Sequence, residues 1–136
     1  MTHDDALAFV RRNHKAVLAT IKRDGRPQLS NISYLLDDDG RIKISVTRDR
    51  AKTRNLQRDP RATLSIVADA WSDYLVIEGT CEVIDENALP LLRHVYEGIR
   101  GGPHPNWDEF DAAMIRDGRV VLSISIDRMY PLDRGG

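Results

Sequence analysis

Apolar and polar residues alternate at every second position along most of this chain, the period of half-buried strands. The cleanest run is residues 41–47. Ile42, Ile44 and Val46 face one way there, and Lys43, Ser45 and Thr47 face the other. Residues 61–68 repeat the pattern with Ala62, Leu64 and Ile66 inward. Residues 119–128 set Val120, Leu122, Ile124 and Ile126 against Val121, Ser123 and Ser125. Residues 15–21 form a further strand, Asp24-Gly25 signals a hairpin turn, and residues 27–35 return, with Pro27 at a first position that tolerates a missing N–H. Residues 74–83 make the longest strand, and Gly79 within it predicts a bulge or a close backbone approach.

The period changes to 3.6 in three places. Residues 2–13 carry Thr2 as a cap, Asp4 and Asp5 in the first turn, and Arg11 and Arg12 in the last. Residues 87–99 place Leu91, Leu92, Val95 and Ile99 on one helical face, and residues 107–116 carry Phe110 and Met114. Residues 36–40, 69–73 and 100–106 read as turns or loops, the aspartates at 37–39 as a solvated one. The elements sum to a mainly β fold. Six antiparallel strands close toward a barrel that removes their edges, with helices on its periphery.

One strand departs from the rule. Gln28, Leu29, Ser30, Asn31, Ile32 and Ser33 put polar side chains on both faces, which a strand serving only a core would not do.

Charge adds a second anomaly. The 136 residues carry a net charge of −1. Yet the stretch from Thr47 through Arg61 holds Arg48, Arg50, Lys52, Arg54, Arg58 and Arg61 against only Asp49 and Asp59, about +4 by side-chain counting. A short helix fits here. Asp49 caps it or lies just ahead, and Pro60 ends it. Arg50 and Lys52 then sit at the helix start, where the dipole disfavours cations unless an anion is bound. Two readings stay open: an anion cradle, or a solvated face with local Asp–Arg pairs.

The remaining totals narrow the class. A chain of this length reads as one domain that buries roughly two-thirds of its unfolded surface. Hydrophobic content of 41% and charged content of 30% are those of a soluble globular protein. A pI near 6.4 argues against a general nucleic-acid binder. The single cysteine, Cys81, makes no internal disulfide and reads as a packed thiol. The N-terminus lacks the apolar core of a signal peptide, and no apolar run approaches the ~20 residues of a membrane span, so a cytoplasmic location is expected. The four histidines are scattered without ligand spacing, so no metal is expected, and no phosphate-loop glycine pattern occurs. Trp71, in a loop, is the better placed of the two tryptophans to stack on a ligand ring. A polar strand, a strand ending in Ser45 and Thr47, and an anion-binding helix start would together suit a long cofactor with a planar ring and a phosphate.

The strings LATIKRDGRPQLSNISY and RAKTRNLQRDPRATL, with Trp71 and EGT at residues 78–80, resemble the pyridoxamine 5'-phosphate oxidase-like split β-barrel family, and within it the actinobacterial branch that uses coenzyme F420. The resemblance runs from the first strand to the last. It implies a single domain of the FMN-binding split-barrel type, a homodimer, and a cofactor cleft between the two barrels. It matches Arg50 and Lys52 to the basic pair on the cofactor phosphate, with Ala51 and Thr53 flanking them. It matches Gln28, Ser30 and Asn31 to the strand beside the deazaflavin, Ser45 and Thr47 to the strand running toward the phosphate, and Trp71 to an aromatic near the cofactor that reaches across the dimer. The implied chemistry is hydride transfer with a small organic substrate, with FMN in the same cleft, or binding without turnover, as alternatives. Tyr34, Tyr74 and solvent are all open as proton donor. A pyridoxal phosphate substrate is not supported, because no second basic cluster is present.

Overall fold

The computed structural model describes residues 1–132. In chain order these form helix α1 (His3–Arg12), strands β1 (Lys15–Ile21), β2 (Pro27–Ser33), β3 (Leu35–Leu36) and β4 (Ile42–Thr47), and helix α2 (Ala51–Arg58). Strands β5 (Arg61–Val67) and β6 (Tyr74–Ile84), helices α3 (Leu89–Arg100) and α4 (Trp107–Asp117), and strands β7 (Arg119–Ile124) and β8 (Arg128–Tyr130) follow. The strands make one curled antiparallel sheet in the order β2-β1-β5-β6-β7-β4-β3, with β8 also on β6.

Strand β6 joins the two halves of the sheet. Tyr74–Thr80 pairs with β5, and Cys81–Ile84 pairs with β7. Side chains from both halves fill the inside of the curl, among them Leu18, Ile44, Leu64, Ile77 and Leu122, all with no exposed surface. Helix α1, held by a Thr2–Asp5 capping box, closes this core with Ala6, Phe9 and Val10. A second apolar cluster lies outside the sheet, where Ala88, Leu92 and Phe110 of the α3–α4 pair cover Val121. That cover is why β7 is buried on both faces although its sequence alternates.

The expected final strand is two strands. Ile124 pairs with Cys81, and Arg128 pairs with Glu78. Three residues, Ser125 to Asp127, therefore stand opposite the two residues Gly79 and Thr80, which is the arithmetic of a β-bulge. The Ser125 hydroxyl accepts from the Thr80 N–H at 3.0 Å, and Asp127 accepts from Ser125 Oγ and Thr80 Oγ1. The bulge shifts the alternation, so Met129 is buried beyond it. It also explains Gly79: a Cβ there would lie 1.9 Å from the Ser125 carbonyl oxygen. Gly79→Ala is expected to lower stability by about 1–3 kcal/mol or more, since backbone rather than a side-chain tip must yield. An unchanged urea midpoint would show that the crossing is looser than these contacts require.

The acidic turn also departs from expectation. Lys43 faces away from Ile42, Ile44 and Val46 on its strand, yet it is 4% exposed. Its ammonium donates to Asp37 at 2.9 Å and Asp39 at 2.8 Å, and His94 of α3 bonds Asp37 at 2.8 Å. Burial under α3 demands a partner for the charge, and the turn supplies two.

Candidate functional site

The two ends of the sheet path approach each other without joining. Strand β3 pairs with β4 through Leu35–Lys43 and Leu36–Ile42. Carried two and four residues further, the same register would set Ser33 opposite Ser45 and Asn31 opposite Thr47. Among the described residues no such pairs form. The ladder parts at Tyr34 and leaves a cleft of about 350 Å³, lined by Asn31–Ser33, Ser45–Thr47, Arg50, Lys52, Ile99 and Arg119. Both banks are strand edges, so they offer backbone donors and acceptors as well as short polar side chains. That supply suits a flat ring with a polar rim.

Tyr34 fixes the apex. It is fully buried, its N–H donates to the His14 carbonyl at 2.8 Å, and its hydroxyl donates to the Val10 carbonyl at 2.7 Å. Burial pushes its pKa upward. These bonds commit the hydroxyl to α1 and remove it from the candidate proton donors. Tyr74 does not line the cleft either.

The closed end of the cleft is the start of α2. Thr53 is fully buried and its hydroxyl donates to the Thr47 carbonyl at 3.0 Å, tying the helix tip to the end of β4. Arg50 occupies the N-cap position with extended backbone, and no side chain caps the helix; Asp49 lies just ahead. The first N–H groups and the Arg50 and Lys52 cations are therefore gathered at one tip.

Three of the other four cations of the stretch, Arg48, Arg58 and Arg61, are engaged with the protein. Arg48 makes a two-point pair with Asp85 at 2.6 and 3.0 Å, and Arg61 makes one with Asp59 at 2.8 and 3.1 Å. Arg58 donates to the Ile21 carbonyl. Local ion pairing holds for Arg61, while Arg50 and Lys52 lie together at the helix tip. Burial lowers the Lys52 pKa, and the charges of Arg50 and Arg119 lower it further.

Of the residues expected at the site, the cleft gathers Asn31, Ser45, Thr47, Arg50 and Lys52. Gln28 and Ser30 fall on the opposite face of β2 from Asn31, as the two-residue period requires. The Gln28 side-chain amide oxygen instead accepts from the Asn55 side chain at 3.0 Å, inside the sheet. Ala51 is exposed at the tip but does not line the cleft. Thr53 serves the β4–α2 junction. Trp71 stands 86% exposed in the loop before β6, away from this chain's cleft. Five lining residues were not anticipated: Ile32, Ser33 and Val46 on the two strand banks, and Ile99 and Arg119 from other elements. Ile99 comes from the last turn of α3, and Arg119 reaches the cleft because β7 pairs Arg119 with Thr47. Only the long-range register could have found Arg119.

Elsewhere the Cys81 thiol is buried and pushed up to about 12. Among the described residues no group of three His, Cys, Asp or Glu is placed to hold a metal ion, and no helix is long and apolar enough to cross a membrane.

A second hollow of about 490 Å³ shares Asn31–Ser33 with the cleft and lies on the outward face of β1, β2 and β5. The same sheet leaves Leu29 65%, Val67 40% and Tyr74 43% exposed.

Comparison with known proteins agrees with this fold. Residues 2–133 match the family described as pyridoxamine 5'-phosphate oxidase. The biliverdin reductase of Mycobacterium tuberculosis that depends on reduced coenzyme F420 is 29% identical over 130 residues, covering 93% of this chain and 85% of that one. Among solved structures, a conserved hypothetical protein of Mycobacterium tuberculosis superposes with a TM-score of 0.77 at 25% identity, covering 100% of this chain and 93% of the other. A protein described as an F420 reductase superposes at 0.69 and 20% identity over 90% of this chain and 94% of its own, a likeness of fold.

Proposed function

The chain belongs to the pyridoxamine 5'-phosphate oxidase family, and from that premise we propose that it is an F420-dependent oxidoreductase acting as a single split-barrel domain. The observation that carries this reading is the cleft itself. Two polar strand edges lead to a helix tip where Arg50 and Lys52 stand without an acidic partner among the described residues. A planar ring with a phosphorylated tail satisfies both ends at once. Arg50, Lys52 and the N-terminal N–H groups of α2 would hold the phosphate. Asn31, Ser33, Ser45 and Thr47 would orient the ring between the banks. The deazaflavin, when bound, supplies the hydride.

The protein's share of the work is placement. Ile99 and Val46 add apolar surface to the cleft and help exclude water. With Tyr34 committed to Val10, a proton required by the acceptor comes from solvent or from the substrate's own surroundings. The half-open second hollow and the exposed Leu29, Val67 and Tyr74 support a homodimer that covers this face and closes the side of the cleft at Asn31–Ser33. Trp71, solvent-exposed in one chain, would then contribute to the partner's cleft. The substrate reading is a small organic acceptor with an electron-poor double bond.

Fluorescence titration of the purified protein with coenzyme F420 tests the cofactor, with the oligomer size measured on the same sample. Saturable binding and turnover on a panel of enones, quinones and tetrapyrroles, biliverdin included, are expected. Binding without turnover would make the protein a carrier. Protein that instead retains a yellow flavin on purification would place FMN in the cleft. No saturable binding of either sinks the reading.

A further inference from the structure

We infer that Arg119 is a third anion-binding residue of the cleft, and that the site is built for a group carrying more than one negative charge. The inference rests on the cleft taking a phosphorylated ligand. It goes beyond that reading in assigning a residue outside the basic stretch and in fixing the charge class of the group bound.

Three observations carry it. Arg119 lines the cleft together with Arg50 and Lys52, and no carboxylate lines it. Its Nε is fully buried and has no hydrogen-bond partner in the protein. Its guanidinium makes one long bond, from Nη1 to the Ser45 carbonyl at 3.4 Å. A buried N–H without an acceptor is a costly arrangement that native proteins rarely keep unless a ligand completes it. The other explanation would be a structural clamp, but a clamp would spend the fork on a carboxylate, as Arg48 spends its own on Asp85 and Arg93 on Asp111. Arg119 also lines a neighbouring hollow of about 320 Å³ that contains Arg48 and Asp85. Arg119 therefore borders both hollows, and the Arg48 cation in the second is already paired with Asp85.

The charge class follows from the count. One carboxylate would leave two of the three cations uncompensated. A dianionic phosphate, or a phosphodiester with a nearby carboxylate, compensates two of the three. The planar fork of Arg119 can address two oxygens of such a group, whereas Lys52 supplies a point charge.

The test follows the Nε–H signal of Arg119 in nitrogen-15 spectra of the whole protein, assigned by its loss in Arg119→Lys, during titration with inorganic phosphate. Wild type, Arg119→Lys and Arg119→Gln are titrated in parallel with phosphate and with coenzyme F420. The Nε–H signal should move with saturable phosphate dependence. Arg119→Gln should weaken phosphate and F420 about tenfold or more, with Arg119→Lys recovering part of the loss. An Nε–H signal unmoved by phosphate overturns the assignment, as does Arg119→Gln binding phosphate as wild type does. Phosphate that moves the signal in a protein that ignores F420 leaves Arg119's role standing and removes only the choice of cofactor.

Discussion

Lys52→Ala is expected to weaken coenzyme F420 binding by about 1–3 kcal/mol, roughly 5- to 150-fold in Kd, because a charge-assisted contact to the phosphate is lost at a half-buried tip. Arg50→Ala should cost a similar amount, and the double variant less than the sum, since the two cations share one anion. The pH dependence separates this loss from a folding defect. In the free protein burial holds the Lys52 pKa down, with Arg50 and Arg119 adding to the effect. A bound anion raises it. Affinity contributed by Lys52 is therefore complete below the free-state pKa and is lost as pH rises through the higher bound-state value. Arginine stays protonated throughout, so Lys52→Arg should bind with a flat alkaline limb. Fluorescence titrations across pH read both effects. Equal Kd values for wild type and Lys52→Ala would remove the helix tip from the site.

Lys43→Met should lower stability by about 3 kcal/mol, read as a shift in urea midpoint at constant slope. The side chain is 5% exposed and holds Asp37, itself 13% exposed, together with Asp39. Removing the cation strands a buried carboxylate. The acid limb gives the sign. Burial pushes the Asp37 carboxyl up, but hydrogen bonds from Lys43 and His94 outweigh it and hold the group at about 2. Its contribution is present above the unfolded carboxylate pKa, about 3.9, and is lost as pH falls through about 2. Without Lys43 that contribution is absent at every pH, so the stability gap between variant and wild type should narrow as pH falls through about 2. Adding Asp37→Asn should restore part of the loss. A Lys43→Met variant as stable as wild type would mean that the turn holds itself without the trio.

Most of the architecture was legible because two-residue alternation is a local signal. The run around Leu64 kept to it, and the turn at Asp24-Gly25 was equally plain. What escaped was set by contacts distant in sequence. The bulge at Ser125–Asp127 exists only because Gly79 passes beneath it. Lys43 reads as a surface residue until α3 covers it. Within the site, the helix tip was visible through its misplaced cations, while strand period alone sent Gln28 and Ser30 to the far side of β2. Arg119 follows a helix-ending glycine and looks ordinary until β7 is laid beside β4.

Tyr34 has a consequence for the N-terminus. The cleft is a wedge whose vertex is bolted to α1 through a single phenol and to the start of β1 through His14. The opening angle of the wedge thus depends on a helix that forms neither wall. Trimming the leading ten residues, or cutting the phenol back to phenylalanine, should loosen ligand grip at a distance, with every contacting side chain still in place.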